Sequence, residues 1–381
     1  MALTRRQLLA ALPAGLLVPR ALAETSARRF LFVHADGGWD PTYVFAPVFD
    51  NPQVDMPPNS TAAEAHGIPF VDAASRPSVR LFFEQNASRT CILNGVEVRS
   101  VAHERCRRIL LTGGPGEGDD WGSILASHGD GGLLLPYAVA SGYAFTQDHA
   151  DRVVRIGSSS QLPNLLGNNA LTMSDMWAPP LDEEDAVDAY VRARAGAMEG
   201  DFARRYARAL DDVAGVQQLA GDLSFGAGVD FLDQVTTVLD CLGNGISRCA
   251  MLRHDGLWGN RWDTHAGNSM QDQHFELLFG DLRGLMDGID ERGLQDEITV
   301  VVVSEMGRHP KLNQMDGKHH WTTTSAMFIG AGVLGNQVVG HYDENMAGQY
   351  LAGHLGATVL ALGDVDPGPY TELEPIEEVL L

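Results

Sequence analysis

The chain has 381 residues, of which 44% are hydrophobic, and a formal net charge of −23 at neutral pH. This composition is that of a globular protein with a sizeable core, and the length suits one large α/β domain or two medium ones. A surface this acidic repels nucleic acid and anionic lipid, so we expect no nucleic-acid partner.

The first 23 residues have the order of an export signal: a basic pair, Arg5 and Arg6, then an apolar stretch, then small residues. The run TRRQLL at 4–9 resembles the twin-arginine consensus. We therefore expect the twin-arginine export machinery as a partner, cleavage after Ala23, and a periplasmic or secreted protein. Cleavage would remove three arginines and no acid, which changes the net charge from −23 to −26. The alternative is a buried amphipathic first helix.

Short runs of apolar and β-branched residues predict buried strands, and no run is long enough for stable membrane insertion. The strands are predicted at 30–34, 90–93, 250–253, 298–303 and 326–329. The run ITVVVV at 298–303 is apolar on both faces, which indicates a parallel sheet covered by helices.

Apolar residues recur at helical spacing over 272–292, between two of these strands. Two further helical stretches, about 185–223 and 229–242, predict a helical insertion. No repeat or linker divides the chain, so we expect a single α/β domain at 24–381. Its central, largely parallel sheet would be sandwiched between helices.

The four cysteines would meet an oxidising compartment after export, where one or two disulfides are possible. Cys241 and Cys249 flank a Gly-Asn-Gly turn and are candidates for a pair. Free thiols are the alternative interpretation.

Polar side chains cluster where predicted strands end. The runs HADGGWD (34–40), RWDTHAGN (261–268) and SEMGRH (304–309) each follow a strand, and DGKHHW (316–321) lies in the loop beyond. Ligands of open α/β sheets bind beyond the carboxyl ends of the strands, so we expect the functional site there.

Carboxylates and imidazoles brought together from several strand ends can coordinate a divalent cation such as zinc or manganese. A lone Asp after a strand is more often a helix N-cap, and a lone His is more often a core or surface residue. The metal hypothesis therefore depends on all four clusters meeting. The last loop also carries basic residues, which suit a phosphate or sulfate ester beside a metal unless the loop is simply solvated.

Three of these segments resemble the hallmark sequences of an exported family called domain of unknown function 1501, which read approximately WDTHxxN, SEFGRTP and GxDHW. They are WDTHAGN at 262–268, SEMGRHP at 304–310 and GKHHW at 317–321. GGWD at 37–40 and His103 extend the resemblance upstream. The family resembles the alkaline phosphatases and sulfatases, whose fold is a central sheet between helices that holds one or two metals.

The resemblance implies an alkaline-phosphatase-like fold with one or two divalent ions, zinc, manganese or calcium. The residues that it suggests as ligands are Asp36, Asp40, Asp263, His265, Glu305, His319 and His320. It also suggests catalytic roles for Ser100, His103 and Arg308.

The sequence departs from the family pattern at four positions. Met306 and His309 replace the usual Phe and Thr, and His319 stands where the family has Asp. Ala102 stands where a Ser often precedes the conserved His, which leaves Ser100 as the nearest hydroxyl. If Ser100 does not reach the metal, water would have to attack directly.

The resemblance implies an exported metal-dependent hydrolase of phosphate or sulfate esters, either small molecules or groups on a polymer. Ala102 and His319 favour an alternative, a non-catalytic exported scaffold that binds metal or a surface polymer. A transferase that moves a phospho-group to or from a surface polymer would use the same site. The chain has no GxGxxG or P-loop lysine after a strand, which argues against a dinucleotide or ATP enzyme. The oligomeric state is left open.

Overall fold

The computed structural model describes residues 28–129, 132–157, 189, 230–257 and 261–381. The predicted export signal at 1–23 lies outside these ranges, as does the helical stretch at about 185–223 apart from residue 189.

The described part of the chain contains the following strands and α-helices. The strands are β1 (Arg29–Ala35), β2 (Ser60–Ala65), β3 (Ile68–Ala73), β4 (Thr90–Glu97), β5 (Tyr137–Val139), β6 (Val153–Arg155), β7 (Cys249–His254), β8 (Ile298–Val303), β9 (Gly307–Arg308), β10 (His320–Trp321), β11 (Thr323–Gly330), β12 (Gln337–Val339) and β13 (Tyr350–Leu351). The helices are α1 (Pro77–Asn86), α2 (His103–Thr112), α3 (Trp121–Ser127), α4 (Phe231–Gly243), α5 (Met270–Glu291) and α6 (Ala352–Leu362).

The main sheet has nine strands in the spatial order β12, β4, β11, β8, β1, β7, β5, β6, with β13 paired to β4. Strand β1 pairs in parallel with both β7 and β8, while β11 runs antiparallel to β8 and β4. The predicted α/β fold with a largely parallel central sheet is therefore confirmed. All five predicted strands are present, as are the helix predicted at 272–292 and the second helix of the insertion.

Both faces of the sheet are covered by helices. Alternate residues of β8 belong to two different cores: Val300 and Val302 pack on one face with α1, α4 and α5, and Val301 and Val303 pack on the other with α2, α3 and α6. Full burial stabilises each of these side chains by about 1.5–3 kcal/mol, which explains why the run is apolar without alternation.

All four cysteines, Cys91, Cys106, Cys241 and Cys249, are buried and free. Of the two alternatives, the structure shows free thiols, and Cys241 and Cys249 do not form a pair. The thiols fill space in the packed core as small apolar groups. In the described ranges, every helix is too short or too polar to cross a lipid bilayer.

The central strands deliver the polar loops to one edge of the sheet. Strands β7, β1 and β8 are adjacent and parallel, so their carboxyl ends at His254, Ala35 and Val303 lie side by side. Three of the four polar clusters come after these strand ends in the chain, and the short β9 and β10 pairing brings the fourth alongside.

Candidate metal centre

Three ligand atoms converge at the exposed side of this edge. The Nε2 atoms of His265 and His320 are 2.9 Å apart, and Oδ1 of Asp263 lies 3.2 Å from the first and 3.1 Å from the second. Ligand atoms about 2.0–2.1 Å from a tetrahedral zinc ion lie about 3.3 Å from one another. The three atoms therefore have the spacing of one face of a metal coordination shell, and we call them the exposed triad.

The imidazole of His320 is oriented for this use. Its Nδ1 lies 2.6 Å from the carbonyl oxygen of Val101, so Nδ1 carries the proton and donates it. In that tautomer the lone pair is on Nε2, which faces Asp263 and His265. A backbone carbonyl that fixes the tautomer in this way is a common feature around metal-bound histidines.

His103, at the start of α2, connects the exposed triad with a deeper group. Its Nδ1 is 2.8 Å from Oε1 of Glu305, and its Nε2 is 3.4 Å from Oδ2 of Asp263. Like His320, this ring is anchored through Nδ1 and presents Nε2 to Asp263. The ligand atoms of His103, Asp263 and His320 all lie within 4.8 Å of one another.

The deeper group consists of His34, Asp36 and Glu305, whose side chains are fully buried. Their ligand atoms also lie within 4.8 Å of one another, and we call them the buried triad. Both carboxylate oxygens of Glu305 accept from the backbone N–H of Gly37, at 3.0 and 3.1 Å. Arg107 donates to Oδ1 of Asp36 through Nε at 3.0 Å and through a terminal nitrogen at 2.7 Å.

Two glycines allow the loops to approach closely. Gly37 has a φ of +132°, and a Cβ there would lie 2.7 Å from the backbone nitrogen of Asp263. A Cβ on Gly317 would lie 2.0 Å from the carbonyl oxygen of His265. Any side chain at either position would push the loop of Asp263 and His265 away from its neighbours.

Arg308 connects the loop that follows β1 with the loop that carries Asp263. Its buried guanidinium donates to the carbonyl oxygens of Gly37, Gly38 and Trp262 and to Oδ1 of Asp263. An ionised carboxylate has about four acceptor positions, so Asp263 can serve Arg308 and a cation together. The contacts of Arg308 are those of a residue that positions the centre.

Asp40 belongs to a separate polar group. Its carboxylate caps the short 3-10 helix Pro41–Tyr43 through Thr42, forms a 2.8 Å ion pair with the buried Lys318, and accepts from Asn268 at 2.8 Å. These contacts make Asp40 a link between the first loop and the loop that carries His320.

The remaining predicted site residues lie at the periphery. The side chain of His319 is exposed, with its ring centroid 5.7 Å from that of His265. The Ser100 hydroxyl accepts from the backbone N–H of Ala102 at 3.3 Å and contacts the Cys106 thiol, which ties it to the start of α2.

The sequence interpretation assigned no role to Arg107, His34 or Tyr143, although the Tyr143 hydroxyl donates to Asp36 at 3.1 Å. Arg107 follows His103 by four residues on a helix, so the spacing alone places it on the same face. His34 is in a quoted strand-end run. Tyr143 carries no comparable signal.

The surroundings keep the carboxylates ionised. Burial raises the pKa of Asp263, but hydrogen bonds from His103, His320 and Arg308 outweigh it and hold the pKa well below its ordinary range. Burial likewise raises the pKa of Glu305, while hydrogen bonds with His103 and the backbone of Gly37, together with the nearby ring of His34, bring it well below the ordinary value. Both carboxylates are thus in the form that binds a cation.

The donor set fits a divalent metal. Imidazole nitrogens and a carboxylate oxygen suit zinc or manganese, and three protein ligands with a half-exposed face are typical of centres that leave one position for water or substrate. Asp263, with 37% of its side chain exposed, and His265, with 39%, border solvent.

The fold and this site define an α/β protein with a histidine and carboxylate centre at the carboxyl edge of a largely parallel sheet. Residues 186–369 match the model of a family described as protein of unknown function (DUF1501). This segment contains Asp263, His265, Glu305 and His320. The match confirms the resemblance drawn from the sequence segments.

No curated protein sequence matches the chain. Similar solved structures include a putative sulfatase from Bacteroides thetaiotaomicron, with 10% identity, coverage of 93% of this chain and 74% of that chain, and a TM-score of 0.44. A protein in the alkaline phosphatase superfamily from Vibrio parahaemolyticus has 9% identity, coverage of 89% and 67%, and a TM-score of 0.41. At such distances similarity does not define an activity.

Proposed function

We propose that the protein is an exported metal-dependent hydrolase of phosphate or sulfate esters, and that its divalent ion binds to Asp263, His265 and His320. The observation that carries the proposal is the convergence of three ligand atoms within 3.2 Å of one another. Export to the periplasm or the outside is proposed from the signal sequence at 1–23 alone.

The charge around the triad supports an anionic substrate. The chain as a whole carries −23, yet Arg107, Arg261 and Arg308 all contact acidic residues of the centre. The side chain of Arg261 is 56% exposed and lies 3.7 Å from Asp36, so it can move to meet a ligand. Mobile and fixed arginines beside a metal suit the oxygens of a phosphate or sulfate group.

Each residue has a distinct part in this proposal. A bound divalent ion would neutralise charge on the ester oxygens and ease the attack of water. Hydrolysis adds the oxygen of water to phosphorus or sulfur and breaks the ester bond, and the departing alcohol takes up a proton. His103, held by Glu305 and facing the exposed triad, is placed to move that proton. Arg308 positions the loops.

The proposal takes water as the attacking group. The hydroxyl of Ser100 contacts Ala102 and Cys106 just before and within α2, and the position before His103 is Ala102. A role for Ser100 as nucleophile would need the 99–102 segment to rearrange.

Ala102 and the exposed His319 also keep a second candidate function open, a non-catalytic scaffold that binds metal and captures a surface polymer. A phospho-group transferase would share the centre and differ in its acceptor. A scaffold differs from a hydrolase because it binds metal without turnover. A transferase differs from a hydrolase because it needs an alcohol as the acceptor.

The test is metal content by mass spectrometry on protein exported through its own signal, with Asp263→Ala and His320→Ala as variants. Exposed residues outside the centre, Asp296→Ala and His341→Ala, serve as matched controls. We expect the controls to keep the metal of the wild type and both site variants to lose it. The metal-loaded protein should then hydrolyse an aryl phosphate or aryl sulfate, and chelation should stop it. A wild type that takes up no metal on reconstitution would refute the proposal.

A further inference from the structure

The buried triad poses a problem of charge compensation. Asp36 and Glu305 are both fully buried, and they follow adjacent parallel strands, so two carboxylates lie together without water. Carboxylates buried in this way require a cation or several hydrogen bonds close by. A divalent metal ion is one such cation, and a fixed side chain is another.

Arg107 meets part of that requirement. Its guanidinium donates twice to Oδ1 of Asp36, at 3.0 and 2.7 Å, and lies 3.6 Å from Oε1 of Glu305. It stacks on the ring of Tyr143 at 4.5 Å, and the Tyr143 hydroxyl donates to the other oxygen of Asp36. The arginine is thus held from two sides.

His34, the third member of the buried triad, has ring nitrogens without a hydrogen-bond partner among the described residues. This histidine is fully buried. Its Nε2 is nonetheless directed at Glu305, with Oε2 at 3.4 Å. An imidazole with an unsatisfied nitrogen beside two buried carboxylates is the donor set of a divalent metal site.

We propose that Arg107 takes the place of a second metal ion, so that the protein binds one divalent ion at the exposed triad and none at the buried triad. Removal of Arg107 then creates a second site from His34, Asp36 and Glu305. The inference deepens the proposed function and rests on it for the first ion. Its physical basis is that a metal at the buried triad would lie against the guanidinium that already holds Asp36.

The experiment counts metal ions at saturation, using Zn²⁺ and Mn²⁺ separately, by equilibrium dialysis and mass spectrometry. The central variant is Arg107→Ala, and Arg107→Lys retains the charge. Arg108→Ala is the matched control, because Arg108 is the next residue of the same helix and its guanidinium packs on Phe145 instead. The double variant Arg107→Ala with His34→Leu removes the new site while it keeps a side chain of similar size.

We expect one ion for the wild type, for Arg107→Lys and for Arg108→Ala, two for Arg107→Ala, and one for the double variant. If Arg107→Ala folds poorly without metal, the added ion should restore its Tm toward that of the wild type. Two ions in the wild type, the second lost in His34→Leu, would overturn the inference without any need for the Arg107 variant. No gain in Arg107→Ala would overturn it as well.

The design separates the two proposals. The number of ions in the wild type tests the exposed triad and with it the proposed function. The difference in the number of bound ions between Arg107→Ala and the wild type tests whether Arg107 takes the place of a second ion. A wild type with none and a variant with one ion, lost again with His34→Leu, would refute the proposed function and retain the role of Arg107.

Discussion

The exposed triad and the buried triad are built from the same kinds of donor, yet they differ in what surrounds them. Asp263, His265 and His320 border solvent, and their ligand atoms are 2.9–3.2 Å apart. In the buried triad, the guanidinium of Arg107 contacts one oxygen of Asp36, and the backbone N–H of Gly37 and the ring of His103 contact Glu305. The comparison teaches that donor type alone does not define a metal site, because the charges already present decide whether a cation is needed.

The largest expected effect is on stability and concerns the buried triad. Glu305→Ala removes the acceptor of Gly37 and His103 and leaves buried donors without partners, so unfolding should cost about 3–5 kcal/mol less. Urea unfolding of the metal-free protein measures this. Glu297→Ala, which breaks the half-exposed pair with Arg29, is the control and should cost less than about 1 kcal/mol. Equal losses of unfolding free energy in Glu305→Ala and Glu297→Ala would contradict this prediction.

The next effect concerns affinity at the exposed triad. Asp263→Ala should weaken metal binding by at least about 100-fold, because changes to residues that merely support a ligand already cost 10–100-fold. Its half-exposed carboxylate contributes less to the fold, so the metal-free variant should unfold closer to the wild type than Glu305→Ala does. Isothermal titration and urea unfolding together make the test. If Asp263→Ala kept its metal affinity but unfolded at a lower urea concentration, Asp263 would be a structural residue and not a metal ligand.

Metal removal should have a smaller effect that depends on concentration. At a free metal concentration of about thirty times Kd, binding to the native state adds about 2 kcal/mol, which a chelator removes. The Tm of the wild type should therefore fall on chelation, and the Tm of His320→Ala should not change. An equal chelator effect in both proteins would place the metal elsewhere.

The smallest effect is a dependence on pH at the ion pair of Asp55 with Lys311. Burial raises the pKa of Asp55, but the backbone N–H of Leu312 and the ammonium of Lys311 outweigh it and lower the pKa below the ordinary value. The resulting stability is present above the unfolded pKa of about 3.9 and is lost as the pH falls through the native pKa. Because the pair is partly exposed, the contribution should be below about 1 kcal/mol.

The measurement for Asp55 is the unfolding free energy between pH 6 and 2 for the wild type and Asp55→Asn. The two curves should differ at pH 6 and converge toward the acid end. A constant difference over the whole range would show that the ionisation of Asp55 does not contribute.

The fold was largely predictable because its signals are local. The strand predicted at 298–303 coincides with β8, since a run of β-branched residues buried on both faces has few alternatives. The helix predicted at 272–292 was found at Met270–Glu291, because its apolar stripe repeats over six turns. Disulfides and free thiols could not be distinguished from the sequence, since cysteine spacing carries no information on whether a thiol is buried in a core.

The candidate site was predictable only in part, because contacts between loops depend on the assembled sheet. Asp263 and His265 could be named from one short run. Whether Asp40 binds a metal or caps a helix depends on Lys318, which is 278 positions further on and 2.8 Å away. The contact of Arg107 with Asp36 likewise joins residues that no local pattern relates.

The burial of the four thiols determines how the protein responds to oxidising and reducing conditions. Burial raises the pKa of Cys91 to about 12 and that of Cys241 to about 12, so almost no thiolate is present near neutral pH. Thiol exchange and oxidation both proceed through the thiolate, which must also be accessible. The native chain therefore needs neither an oxidant to complete its fold nor a reductant to preserve it. It should be equally stable on either side of a membrane that separates reducing from oxidising compartments.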